Sequence, residues 1–476
     1  MIGKGGEEAY TLPGIPSRRN LIKSWRFLLP PFLLGASLLA IYLRTLAPGL
    51  TWANGGSDGG DLITSAARGG IPHPTGYPLY LLVGRLFQFL PVGSLAYRTN
   101  LMSAVFTTAA CLLVYGIVVR QLSGVQTVHR TLAGLAAGFC FGLSPLVWSQ
   151  AVITEVYALQ AFLVLVVIYL YTAPPAEAAA RRRAQDRWRG LALGLAMANH
   201  MTALLLVPLA LLLGSVQAAE TQAQKGGGTG LRWLKQVRFD VRSLGRQLLG
   251  LVVGLSLYLL LPLRALAHPP VNWGNPVSAA RFAWLVSGSL YRSYYLQFAF
   301  SALREQFQAW ANFSIVQLGW LGIFLGLLGL FVYGRVSRLS ILTVGMAITS
   351  LAFYTLYRPA DADVYLMPLL ISFSIWLGLG MGGLAESLSR RSYAFALGLS
   401  LLLLGMILFR SLSIFQQVDA SQDTRADSFA QEVLSAAPQD AILFAKGDRA
   451  IFALWYYHFA LHERPDLFIV AEDLLH

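Results

Sequence analysis

Two aspartates three residues apart open the stretch of this chain best equipped for chemistry. It reads Gly-Gly-Ser-Asp58-Gly-Gly-Asp61-Leu and continues as Ile-Pro-His73-Pro-Thr-Gly-Tyr77-Pro-Leu. Carboxylates at that spacing share one face of a helical turn. Beside a membrane surface one of them can titrate above its usual range and serve as a general base. The glycines let backbone pass close to a ligand. An Asp-x-x-Asp pair alone is more often a solvated loop feature, but the three prolines that follow would hold this loop rigid.

Glu155, in Trp-Ser-Gln-Ala-Val-Ile-Thr-Glu155-Val-Tyr157, is the one acidic residue between Asp61 and Glu177. An ionisable group at the end of an apolar span is a functional candidate, weighed here against a helix-end carboxylate facing water. Arg264 follows Leu-Pro-Leu and precedes His268-Pro-Pro-Val-Asn272-Trp273-Gly-Asn275-Pro. Its planar fork suits a phosphate, and its alternative is an arginine reaching for lipid headgroups. Arg358 has the same two readings, and nearby Asp361 and Asp363 favour a surface ion pair. His73, His200 and His268 show no spacing that marks a metal motif.

These residues are set in a strongly apolar chain. Of 476 residues, 56% are hydrophobic and 12% charged, about half the charged share of a soluble domain. Apolar runs of bilayer length recur and are continuous rather than alternating. The expectation is therefore an α-helical polytopic membrane protein and not a β-barrel. The net charge of +13 falls between apolar spans, as the positive-inside rule requires, so nucleic acid is excluded as a partner. Cys111 and Cys140 lie in apolar segments and read as small core residues.

The elements that must position the candidate residues follow from charge and hydropathy. Residues 1–26 are polar and basic at their end, hence cytoplasmic. The first span, Phe27–Leu46, lacks an Ala-x-Ala site and reads as a retained anchor. The acid-bearing segment then lies outside. The short run Tyr77–Leu90 is expected along the outer interface, because a crossing there would invert every later loop and expose the Arg181–Arg189 cluster. Spans follow near 100–119, 131–147 and 156–173. Residues 190–216 break at Asn199-His200, which predicts two short helices meeting around a wet cavity. Span 247–266 leads to an outer loop, 267–310, rich in Trp, Tyr and Arg. Spans near 312–334, 339–357, 364–386 and 392–412 complete a bundle of about 11 membrane segments. The tail, 413–476, carries ten acidic and four basic residues. Its pattern predicts helices at 424–436 and 449–460 and strands at 441–445 and 467–471, a small outer α/β unit, either appended or cut from a larger domain.

Taken together, these stretches resemble the bacterial relatives of the animal transmembrane protein O-mannosyltransferase, within the GT-C superfamily of glycosyltransferases. The resemblance rests on the two-acid loop with His73-Pro-Thr-Gly-Tyr-Pro-Leu, Arg98-Thr-Asn100-Leu-Met-Ser103, and Trp148 with Glu155-Val-Tyr-Ala-Leu. It continues through Gly194-Leu-Ala-Met-Ala-Asn-His200, Leu-Pro-Leu-Arg264 with Asn272-Trp-Gly-Asn-Pro, and Gly447-Asp448 with Leu454-Trp-Tyr. Where that family reads Asp-Ser-Gly-Glu, this chain has Asp58-Gly-Gly-Asp61, one methylene shorter at the second acid. The resemblance implies transfer of a sugar, with mannose as the model, from a polyprenyl-phosphate donor to an acceptor hydroxyl outside the cell membrane. Protein Ser/Thr is the implied acceptor, and a glycan remains open. Asp58 would be the base, with Asp61 as second acid. Arg264 and then Arg358 would hold the phosphate. His73, Tyr77, Glu155, Tyr157, His200 and Trp273 would line the substrate site. No metal or cofactor is required, and inversion at the sugar carbon is expected. The competing readings are a transporter or flippase of a lipid-linked substrate and an inactive scaffold.

Overall fold

Long apolar runs fold as helices because a bilayer leaves no other partner for backbone N–H and C=O groups. The computed structural model describes residues 18–218, 237–295, 303–334, 337–359 and 361–474. Most of the N-terminal segment expected in the cytoplasm, and much of the basic stretch near 217–245, lie outside these residues.

Helix α1 (Arg18–Thr45) is followed by three elements of the first loop and its return: α2 (Gly59–Arg68), α3 (Pro78–Gln88) and α4 (Leu95–Gln121). Then come α5 (Thr127–Gly142), α6 (Pro145–Ala151), α7 (Tyr157–Tyr171), α8 (Ala179–Asn199) and α9 (Val207–Ser215). A short antiparallel pair, β1 (Val216–Ala218) and β2 (Val237–Phe239), precedes α10 (Val241–Leu255), α11 (Leu260–Ala265) and α12 (Ala279–Val286). The bundle closes with α13 (Leu303–Phe331), α14 (Arg338–Leu356), α15 (Met367–Ser389) and α16 (Tyr393–Val418). The tail holds α17 (Arg425–Ala436), β3 (Ile442–Ala445), α18 (Asp448–Trp455) and β4 (Phe468–Ala471), with β3 and β4 parallel.

The polytopic helical fold is as expected, but the count of about eleven segments is not reproduced. Among the described residues seven helices are long and apolar enough to cross a membrane, or eight if the bent pair α5–α6 is one span. The shortfall lies in α7 and the 201–215 segment, which are apolar but short, and in 190–199, which is the second half of α8. Helix α3, at 11 residues, is roughly 16 Å long and cannot cross alone. The Asn199-His200 break is present: α8 ends at Asn199 and His200 is extended, with φ −151°.

The Arg181–Arg189 cluster is not a loop. Its Ala- and Arg-rich sequence is intrinsically helical and forms the first half of α8. There Asp186 is buried and binds Arg246 of α10 at 2.7 Å. Helices α8 and α10 touch along glycines: a Cβ on Gly190 would lie 1.8 Å from the Gln247 carbonyl oxygen, the close approach that small residues permit.

Two apolar cores result. The larger fills the helical bundle. The smaller unites distant segments, among them Leu50, Ile63 and Ile71 from the first loop, Val271 and Trp273 from the 267–275 segment, and Ala430, Phe452 and Trp455 from the tail. The tail is thus packed onto the first loop.

Candidate active site

Asp58 caps the N-terminus of α2, and Asp61 lies in its first turn. Three residues of helix turn them to different neighbours. Asp61 is fully buried, and its Oδ2 accepts two hydrogen bonds from His73, one from the backbone N–H at 2.9 Å and one from Nδ1–H at 2.7 Å. Asp58 keeps 30% of its side chain exposed and approaches the opposite ring nitrogen, Nε2, at 3.5 Å. The imidazole bridges the two acids. Burial pulls its pKa down, but Asp58 and Asp61 outweigh burial and raise it to about 9, so His73 is an imidazolium at neutral pH.

His73 is held in place by its neighbours. The Ile71 N–H donates to the Val271 carbonyl at 2.9 Å, and the Trp273 N–H donates to the Ile71 carbonyl at 3.2 Å. This two-bond bridge brings Trp273 edge-on to His73, and Tyr77 meets the ring from another side, 5.1 Å away. Phe452 of α18 lies parallel to the imidazole at 6.4 Å.

The tail binds the first loop through polar contacts as well. Arg68 donates to the carbonyls of Phe459 and Ala460 at 2.7 and 2.9 Å. Asp423 accepts from the backbone N–H groups of Trp52 and Ala53 at 3.0 and 2.7 Å. Gly60 sits where α2 meets α18, and a Cβ there would be 2.0 Å from the Phe452 carbonyl oxygen. Gly60→Ala is therefore expected to destabilise the protein by about 1–3 kcal/mol, because backbone must move. Thermal unfolding in detergent checks this. Gly245→Ala, whose Cβ meets nothing within 4 Å, serves as the neutral comparison.

Asp58 and His73 open into a cavity of about 570 Å³, within the range of small-molecule sites. Tyr77, Glu155, Tyr157 and Trp273 also line it. Of the ten residues singled out from sequence, six therefore meet at one cavity. The other four stand outside its lining. Asp61 is behind His73. His200 is behind Tyr77 and Tyr157, with ring centroids 5.7 Å from each. Arg264 points to the Gly70 carbonyl at 3.5 Å, behind the loop. Arg358 is exposed between Tyr357 and Pro359, which do line the cavity. The expected surface ion pair of Arg358 with Asp361 gives way to another contact: Asp361 accepts from the Tyr157 hydroxyl at 3.5 Å.

Sequence reasoning gave Asp361 only a surface ion pair and Asp448 only a place in a motif, and it missed Arg449, Phe452 and the tyrosines 291, 294, 357 and 365; all of these line the cavity. The tyrosine-rich loop was the only signal for part of this set. Burial, then Asp58 and Asp361, push Glu155 well above the usual carboxylate range. Desolvation and Asp58 raise Asp361 and Asp448 as well. Burial beside other acids favours the protonated form of each of these carboxyls. Among the described residues no cluster of three or more His, Cys, Asp or Glu suits a metal ion.

A smaller apolar groove, of about 50 Å³, adjoins this cavity. Tyr157, Val364 and Tyr365 line both, and the groove runs on past Ala161, Val164 and Leu206 to Met346 and Ile371, between α7, α14 and α15.

Residues 58–223 match the family model described as the protein O-mannosyl-transferase TMEM260 N-terminal domain. The chain is 26% identical over 473 residues to the mouse protein O-mannosyl-transferase TMEM260, covering 92% of this chain and 62% of the mouse protein. It is 24% identical over 498 residues to the Dictyostelium discoideum protein O-mannosyl-transferase tmem260, covering 93% and 57%. The solved structure of ArnT from Cupriavidus metallidurans bound to undecaprenyl phosphate superposes with a TM-score of 0.58 at 12% identity, over 94% of this chain and 86% of ArnT. The apo form of that enzyme gives 0.56 at 14% identity, over 95% and 86%.

The chain resembles the TMEM260 protein O-mannosyl-transferases and has a GT-C fold.

The resemblance read from the scattered motifs thus holds across the chain. This TMEM260-like chain is a multi-pass membrane protein by its helices and its relatives. It spans about three fifths of the length of the curated relatives it matches. The family-model match begins at Asp58 and includes the cavity residues from Asp58 to Tyr157.

Proposed function

We propose that this chain is a membrane glycosyltransferase that moves a sugar, with mannose as the first candidate, from a polyprenyl phosphate to an acceptor hydroxyl. The acceptor is a protein Ser or Thr. One observation carries the reading: a polar, carboxylate-lined cavity shares the wall formed by Tyr157, Val364 and Tyr365 with a smaller apolar groove inside the bundle. A lipid-linked sugar has that same division, with a hydroxyl-rich head and a long apolar tail. The likeness to TMEM260 O-mannosyl-transferases and to an ArnT structure holding undecaprenyl phosphate supports it.

Asp58 is the base. It removes the proton from the acceptor hydroxyl as that oxygen bonds to the anomeric carbon. The bond from that carbon to the phosphate oxygen breaks, and the electron pair leaves with the polyprenyl phosphate. Attack opposite the leaving group inverts the carbon. His73, as imidazolium, holds Asp58 in position through the 3.5 Å contact. Glu155 and the Tyr157–Asp361 pair bind sugar hydroxyls. Of the two arginines considered for the phosphate, Arg358 at the cavity rim is the better placed, since Arg264 is directed to Gly70. In this arrangement 1–26 lie in the cytoplasm, 27–412 form the transmembrane unit and 413–476 the extracytoplasmic unit. The basic ends of α4 and α8 support that orientation.

The test is transfer of radiolabel from a panel of polyprenyl-phosphate sugars to Ser/Thr peptides by purified protein. Transfer from at least one donor is expected. Silence across the panel, with flux of lipid-linked sugar in proteoliposomes, would replace the enzyme with a transporter.

A further inference from the structure

The tail wall of the cavity has no role in donor binding or proton removal as set out above. Helix α18 presents Asp448, Arg449 and Phe452 to the cavity. Asp448 and Phe452 are four apart and so share a face. That face is fixed from three directions. Phe452 lies parallel to His73 and packs on Trp273 at 6.3 Å. Gly60 allows its carbonyl to abut α2. The Gly447 N–H, just before the helix, donates to Asp473 at 2.7 Å.

The lining residues divide the cavity into two walls. The apolar groove is lined by Tyr157, Val364 and Tyr365 and by no residue of α18. The cavity that Asp58 lines therefore has a groove side, with Tyr157, Val364 and Tyr365, and a tail side, with Asp448, Arg449 and Phe452.

We propose that the first turn of α18 is the acceptor subsite, where Asp448 and Arg449 hold the peptide that carries the hydroxyl while Phe452 and Trp273 support it. This rests on the glycosyltransferase reading above and adds to it the surface that selects the acceptor. The chemistry fits a peptide backbone: an amide offers one N–H and one C=O, and the adjacent carboxylate and guanidinium supply one acceptor and one fork of donors. A base lining the same cavity reaches the hydroxyl and leaves the donor's anomeric carbon on the groove side.

Asp448→Asn and Arg449→Ala test this. Both side chains are exposed, so the thermal midpoint should not move. Each change is expected to raise the KM for a Ser/Thr peptide at least tenfold and to weaken binding of a fluorescent form of that peptide by a similar factor. Donor affinity should stay within twofold. An unchanged peptide KM overturns the proposal. Loss of donor affinity in step with peptide KM also overturns it, by moving α18 to the donor side. A wild-type protein that transfers sugar from no donor defeats the underlying glycosyltransferase reading instead.

Discussion

Asp58→Asn is expected to reduce sugar transfer by about 10²–10⁴-fold, the loss typical of removing a positioned general base. The substitution preserves shape and removes the lone pair that takes the proton. It should do so without unfolding the protein. Asp58 makes no side-chain hydrogen bond to the helix it precedes, and its contacts are Ser57 at 3.1 Å and His73 at 3.5 Å. A thermal midpoint close to wild type with transfer nearly abolished is the expected pair of results. Donor affinity should change little, because the base faces the acceptor oxygen. Transfer within threefold of wild type would show that Asp58 is not the base. Glu155 would then be the next carboxylate to test, with its pKa pushed up by burial and by Asp58 and Asp361.

Asp61→Asn is expected to act differently, because Asp61 reaches the reaction only through His73. The change removes one of the two carboxylates that keep His73 charged. The wild-type imidazolium persists up to about pH 9. With one carboxylate gone its pKa falls, so the charged form is lost at lower pH as pH rises. The alkaline limb of the pH–rate profile should therefore move to lower pH, with kcat lowered by about 10–100-fold, as for loss of an outer partner that orients a functional histidine. Stability follows the same sign. A histidine raised from 6.5 to about 9 on folding contributes stability fully present below pH 6.5 and lost as pH rises through 9. Asp61→Asn should flatten that dependence. In a His73→Gln background the second change should add little, because positioning groups that act in series are not additive. Full additivity there, with no movement of the alkaline limb in Asp61→Asn alone, would make Asp61 a proton acceptor in its own right.

Much of this was legible in the sequence. Continuous apolar runs placed the long helices, because hydropathy over a bilayer length needs no tertiary information. The Asn199-His200 break could be read because polar residues inside an apolar run must be accommodated by irregular backbone. The strands and helices of the tail followed from local periodicity. Asp58, His73 and Tyr77 could be grouped because a short, proline-stiffened loop keeps them close whatever the rest of the chain does.

The remainder depended on long-range packing. Asp58 and Asp61 look equivalent in sequence, but the rotation of α2 about its axis buries one and leaves the other open, and that rotation is set by contact with α18 through Gly60. Arg264 and Arg358 occupy similar places at span ends, and only the fold turns the first toward Gly70 and leaves the second at the rim. The acidic tail looked like an appendage because no local signal says what its carboxylates bind. Asp423 meets Trp52 and Ala53, some 370 residues away in the chain. Span positions are encoded in local composition. Which face of a helix looks into a cavity, and which distant helix closes that cavity, are decided only when apolar surfaces far apart in sequence are buried against one another.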